Sequence, residues 1–309
     1  MGGRPAIANI MTAPLHPYQN QLQNQLQNQL QNRFLTRFLK SRAGAIGLLL
    51  TIALLLVAIL FPFIHPYDPA IDRDYLARLE APSLKHPFGT DGLGRDILVL
   101  VLYGIRTSLL IGTVAVSFGC AIGTLLGLLA GYMQGWLDLA IGWVTDILLA
   151  FPSILLAIAI VTVTSPNIQT VTIAVGIVQI PIYIRLARGM VLSLKPQQFV
   201  LASQALGASP MRLLFRHIFP MSLPPLVVQA TLSIGTATIE AAGLGFLGLG
   251  VQPPTPELGM MLADAFKGGY SLSAPWTMLF PGLLITITVL AFNLLGDGLR
   301  DSLDPRSDT

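Results

Sequence analysis

Long apolar blocks separated by short charged stretches set the elements of this chain. Between Arg42 and Asp68 there is no Asp, Glu, Lys or Arg, and the centre of that gap, Gly47 to Phe61, reads GLLLTIALLLVAILF before Pro62. About 20 apolar residues at 1.5 Å rise cross the hydrocarbon of a bilayer, so this block predicts a transmembrane helix. The gap from Arg106 to Asp138, filled by LLIGTVAVSFGCAIGTLLGLLAGY, predicts a second. The gap from Asp146 to Arg185 is too long for one helix. Thr164-Ser165-Pro166-Asn167 splits it into spans over roughly 146–164 and 168–186, because Pro and Asn punctuate chains in this way. A fifth span follows Pro224-Pro225, runs to about Leu249 and carries Glu240; a sixth covers about Trp276 to Leu295. The pattern predicts an all-α integral membrane protein with six transmembrane helices.

Composition narrows the class further. Of 309 residues 53% are hydrophobic and only 11% charged, with a mean hydropathy of +0.69, whereas soluble domains carry about 25% charge. Disorder is excluded by the hydrophobicity for all but the N-terminus, and an internal disulfide by the single Cys120. Eighteen bases against 15 acids, spread along the chain, leave no nucleic-acid footprint. The first block is not a cleavable leader: it is long enough to span, and Phe61-Pro62-Phe63 follows it in place of a small-residue cleavage site.

Basic residues orient the spans. With the N-terminus inside, Arg4, Arg33, Arg37, Lys40, Arg42, Arg185, Arg188, Lys195, Arg212, Arg216, Arg300 and Arg306 are cytoplasmic, twelve of 18. Arg73, Arg78, Lys85, Arg95, Arg106 and Lys267 remain outside or at the outer edge. The expected organisation is then a cytoplasmic extension over 1–42, a first transmembrane helix over 43–64 and an extracytoplasmic segment over 65–105. A five-helix core over 106–298 and a cytoplasmic tail over 299–309 follow. In the extension, Leu22, Leu26, Leu30, Phe34 and Phe38 fall at helical spacing within a Gln/Asn-rich repeat. That fits either an amphipathic helix at the inner leaflet, best over 32–42, or a low-complexity tail. In the outer segment, PFGTDGLGRD (Pro87 to Asp96) reads as a structural turn with local pairing of Arg95 and Asp96.

Catalytic and metal chemistry find no foothold. His16, His65, His86 and His217 lie far apart, and neither a phosphate loop nor a nucleophile elbow occurs. Two carboxylates stand within the apolar blocks, Asp146 and Glu240. Intramembrane carboxylates mark substrate or ion pathways; for Glu240 a structural hydrogen bond to a neighbouring helix is an equal alternative. Two ionisable groups in six spans, without inverted duplication, argue against an ion-driven carrier. Transport by this chain would then draw its energy from elsewhere. A stand-alone channel and a scaffold for other subunits are the rival readings.

The segment Lys195–Pro225 carries the strongest punctuation. A helix pattern over Gln197–Leu206 stops at Gly207, suited to a left-handed C′ residue. Ser209 then caps a second short helix with Pro210 at its first position, running to Phe219 and ending before Pro224-Pro225. Two short cytoplasmic helices form a knob, and Arg212 and Arg216 on the second fit an acidic partner surface, lipid headgroups or plain solvent.

This segment resembles the coupling loop of permease subunits of binding-protein-dependent ABC importers, and the chain is most similar to the C-type subunit of the dipeptide/oligopeptide/nickel group. The resemblance runs from about Ala43 onward. It rests on FGTDGLGRD (Phe88–Asp96), GTLLGLLAGY (Gly123–Tyr132), FVLASQALGAS (Phe199–Ser209), HIFP (His217–Pro220), GFLGLGVQPPTPELG (Gly245–Gly259) and FPGLLITITVLAFNLLGDGLRDSLDP (Phe280–Pro305). It implies a non-catalytic subunit of the bacterial inner membrane that moves short peptides, or nickel, glutathione or another small solute, by alternating access. The implied partners are a second homologous permease, two cytoplasmic ATPase subunits that hold the ATP and Mg, an extracytoplasmic solute-binding protein and membrane lipid. No nucleic acid and no cofactor on this chain are implied. Contact with the ATPases would fall to Leu201, Ala202, Ser203, Gly207, Ala208, Ser209, Arg212, Arg216 and His217, and Glu240 and Asp146 are candidates for the translocation path. One departure stands out: Leu201 occupies the place where the family usually has Glu.

Overall fold

A computed structural model describes residues 36–68 and 72–303. The readings for 1–35 and for 304–309 lie outside the described residues; of the extension, residues 36–40 are helical and Phe38 is buried. Ser41 interrupts the helix, and its hydroxyl accepts from Gly44 N at 3.3 Å to start α1, Arg42–Ile64. Next come α2 (Ile97–Met133), α3 (Gly135–Ala150), α4 (Ser153–Thr164) and α5 (Ile168–Leu194). The short α6 (Gln198–Ala205) and α7 (Pro210–Leu213) precede a π-helical turn, Leu214–Ile218, that leads into α8 (Phe219–Phe246). The last two are α9 (Leu258–Lys267) and α10 (Trp276–Leu303). Among the described residues there is no strand beyond a single bridge between Thr90 and Asp96.

Five of these helices, with α7 and α8 taken as one, are long and apolar enough to cross a membrane; α3 and α4, counted together, give a sixth. The first matches the expected 43–64 to within a residue, whereas several of the others differ from the sequence reading where charge or proline served as a boundary. The second helix begins at Ile97 rather than at Arg106, because Asp96 caps it by accepting from Leu98 N and Val99 N. Arg106 is simply exposed on its flank. The third span is no straight helix: α3 and α4 meet at 95° across Phe151-Pro152. A residue before proline is pushed out of the helical region, and Phe151 sits in extended conformation at φ −90°, ψ 139°. Pro224-Pro225 does not open the fifth span but lies inside α8, continuous with Pro210 through the π turn. Neighbouring helices and local π adjustments tolerate proline in this setting. The sixth helix runs to Leu303, well into the expected tail. The 247–275 connection holds α9, which the sequence reading did not anticipate; Glu257 starts it by accepting from Gly259 N and Met260 N at 2.8 and 2.7 Å.

The centre of the molecule is the pairing of α2 with α5. Gly119, Gly123, Gly127 and Gly131 recur every fourth residue and turn one bare stripe of α2 toward α5. A Cβ at Gly123 or Gly127 would come within 2.5 Å of the carbonyl oxygen of Ile180 or Ile184. Without a hydrophobic driving force in lipid, such close backbone approach is what holds helices together. Beside this pair lie α8 and α4, and Ile111, Val171, Val175, Tyr183, Leu226 and Leu244 share one buried cluster. On the other flank α1 packs on α10, where a Cβ at Gly47 would meet the backbone of Leu294 and Leu295.

The segment after α1 folds back over the ends of α2 and α10. Phe88 stacks on Phe280 with centroids 3.9 Å apart, and Trp276 Nε1 donates to Thr90 O at 3.1 Å. Arg95 pairs with Asp91 at 2.6 Å rather than with its neighbour Asp96, which instead meets His86 Nδ1 at 2.9 Å. The turn forces this: Asp91 Oδ1 accepts from Leu93 N and Arg95 N, which brings the Arg95 side chain over the Asp91 carboxylate.

Candidate functional site: coupling surface and intramembrane polar cluster

The knob is anchored at its base and bare at its tip. Val200, Leu213, Leu214 and Ile218 are buried against Leu128, Ala187 and Val191 from the ends of α2 and α5. Lys195 ties those ends together: its Nζ donates to Tyr132 O at 2.9 Å, among the last carbonyls of α2, and lies 5.0 Å from the Tyr132 ring centroid. Above this base, α6 closes in a Schellman arrangement. Ala208 N donates to Ser203 O and Gly207 N to Gln204 O, with Gly207 at φ +82°. Ser209 Oγ then accepts from Arg212 N at 3.4 Å with Pro210 first in α7.

The residues that the sequence singled out therefore sit on one projecting segment. Leu201, Ala202, Gly207, Ser209, Arg212 and Arg216 are exposed; Ser203, Ala208 and His217 are half-buried, with the Ser203 hydroxyl donating back to Phe199 O. Leu206 and Met211 are 89% and 60% exposed, too much for isolated accident in so short a stretch, and Leu201, Phe215 and the two arginines surround them. Neither arginine forms an ion pair among the described residues. An apolar tip edged by free cations is the composition of a protein-docking surface. Through the π turn this tip is continuous with α8.

Asp146 and Glu240 are not brought together. Asp146 pairs with Arg185 at 2.8 Å on the open side of α3, both side chains mostly exposed. One turn on along α5 and two turns back along α3, Arg188 grips Asp138 with two bonds of 2.6 and 2.9 Å, a pair the sequence reading missed. Charge identity offered the only signal for it, since the partners lie 50 positions apart.

Glu240, on α8, is half-buried and faces Gln179 of α5, whose Nε2 donates to Glu240 Oε2 at 3.4 Å. Gln179 is 1% exposed, and its Oε1 has no hydrogen-bond partner. The sequence reading overlooked Gln179, a neutral residue in an apolar run, although Tyr183 one turn further makes it part of a polar face.

Residues 123–309 match the family described as binding-protein-dependent transport system inner membrane component. This chain belongs to that family. Residues 28–82 match the N-terminal transmembrane domain of oligopeptide transport permease C. The permease is 49% identical over 267 residues to the dipeptide transport system permease protein DppC of Alkalihalophilus pseudofirmus, covering 86% of this chain and 87% of that protein. It is 50% identical over 258 residues to the glutathione transport system permease protein GsiD of Escherichia coli, covering 84% of each. In fold it is similar to a chain of the MetNI methionine ABC transporter in an inward-facing conformation. The TM-score is 0.58 at 23% identity, over 67% of this permease and 98% of that chain. The chain is thus a multi-span membrane subunit of an ABC importer.

Proposed function

We propose that this permease moves short peptides inward across the bacterial cytoplasmic membrane, as one of two homologous transmembrane subunits. Two cytoplasmic ATPase subunits, which hold the ATP and Mg, dock on the 198–218 tip; a solute-binding protein delivers the peptide from the opposite face. Both termini of this chain are cytoplasmic. No bond is made or broken here: closure of the ATPases pushes α6 and α7, and the push passes through the π turn to α8, rocking the helices between outward and inward openings. The observation that carries this reading is the exposed, apolar, arginine-edged tip joined without a break to a membrane helix. The substrate class is supported by the dipeptide relative, and the glutathione relative supports a second reading in which a small peptide-like solute takes its place.

The test is ATP-driven uptake by the assembled transporter in proteoliposomes. Reversing Arg216 to Glu sets an acid where the ATPase groove meets a base, and is expected to cut uptake at least tenfold with partial loss of ATPase co-purification. Leu201→Glu, which restores the family's usual residue, is expected to be tolerated. Uptake by this chain alone, driven by an ion gradient without ATPases, would overturn the reading.

A further inference from the structure

We propose that Glu240, backed by Gln179, is a subsite that takes the free ammonium group of a peptide passing through the permease; this rests on the peptide reading above. The cluster has more acceptors than donors. About four lone-pair sites on the carboxylate and two on the orphaned Gln179 Oε1 are set against the two N–H of Gln179 Nε2. Turning the Gln179 amide over would place two acceptors against each other, so the carboxylate fixes its orientation. Among the described residues no Lys, Arg or His forms an ion pair with Glu240, whereas Asp138 and Asp146 on α3 are each paired with an arginine of α5. A carboxylate within the apolar blocks that has no basic partner of its own is set up for a cation that comes and goes.

The position points the same way. Glu240 lies against the start of α4, where a Cβ on Gly243, one turn along α8, would come within 2.9 Å of Ile154 Cδ1. There the third span breaks at 95°, and Phe151, Pro152 and Ser153 are all exposed. Irregular backbone at membrane depth does not face lipid; it is buried in protein or lines a water-filled cavity. Broken helices of this kind flank substrate sites in transporters of other folds. The break therefore turns Glu240 toward the interior of the assembled transporter. A primary ammonium brings three N–H donors and a positive charge, which the spare lone pairs can accept. Glu240 is half-buried and Gln179 lies behind it, so an incoming ammonium meets the carboxylate first.

The experiment uses the complete transporter without its binding protein, in the ATP-free state. Equilibrium binding of a radiolabelled dipeptide is compared with that of the same dipeptide N-acetylated, with assembly followed by co-purification. The free-amine peptide is expected to bind at least tenfold more tightly. Glu240→Gln is expected to weaken it at least tenfold and to erase the preference, while Glu240→Asp keeps part of it. An undiminished preference in Glu240→Gln overturns the proposal, as does equal binding of both peptides to the wild type, which decides the matter even if the variant fails to assemble. A wild-type transporter that imports neither peptide with ATP and binding protein supplied refutes the peptide reading itself, a distinct outcome.

Discussion

Gly207 and Glu257 show how single residues set the two ends of this molecule. Gly207 holds φ +82° with open space around the position of a Cβ, so any cost of substitution there is backbone strain and not a clash. A β-branched residue at that φ costs about 1–2 kcal/mol, whereas Asn visits the region readily. Gly207→Val is therefore expected to lower peptide uptake and loosen the ATPases with the six spans inserted, and Gly207→Asn to stay near wild type, measured by co-purification and by peptide-stimulated ATP hydrolysis. Glu257 lies outside the spanning helices, between α8 and α9, and is buried. Burial pushes its carboxyl up to about 7, against the opposing pull of the Gly259 and Met260 N–H groups. A folded-state value above the unfolded one means that the folded protein holds this proton longer. Its stability then falls as pH rises from the ordinary carboxylate range to about 7, and the loss is complete above that. The melting temperature of the purified permease is expected to drop across that window, and Glu257→Gln to remove this part of the slope. Residue chemistry was legible where it is local: Gly207, Ser209 and Pro210 announce their geometry by type and spacing. The Gln179–Glu240 contact was not, because 61 positions separate its partners and nothing in an apolar run tells which polar residue faces inward.

At the scale of elements, the glycine stripe of α2 is the strongest commitment in the fold. Gly123→Val and Gly127→Leu place carbon against the carbonyls of Ile180 and Ile184, where backbone must give way. Overpacking of this kind costs typically about 1–3 kcal/mol, and both variants are expected to melt lower and to yield less folded permease. Gly189 on α5 provides the control: a Cβ there meets nothing within 4 Å, so Gly189→Ala is expected to leave melting unchanged or slightly higher. Equal melting of all three variants would mean that the α2–α5 seam is looser than these distances require. The apolar blocks gave the number of spans because hydrophobicity counts residues, but a count has no direction. Hence the 95° turn within the third block escaped, even though Phe151-Pro152 stood in plain view. The same blindness ran the other way at Pro224-Pro225, where a proline pair that would end a helix in water is carried inside α8. Helix α9 was hidden because its ten residues are too few to register as a hydrophobic block, and its cap is a buried glutamate rather than a serine or asparagine.

For the whole molecule, function requires that the two gathered faces lie on opposite sides of the membrane. One face holds the knob with Lys195, Arg212 and Arg216. The other holds the folded-back segment around Phe88 and Trp276, with α9 beside it. Connectivity settles that they are opposite, since α5 leads into the knob and α8 leads away from it toward α9. Which of them is cytoplasmic is an expectation from the sequence, which assigns twelve of 18 bases to the inside, and from the proposed docking of ATPases on the knob. A single-cysteine test decides it. Cys120 is replaced to clear the background, and cysteine is placed at Ser83 or at Ser209, both exposed and each on one of the two faces. A membrane-impermeant maleimide added to intact cells is expected to label Ser83→Cys at once and Ser209→Cys only after permeabilisation. The reverse pattern would put the knob outside, where no ATP-driven subunit could grip it, and the coupling role of 198–218 would fall with it.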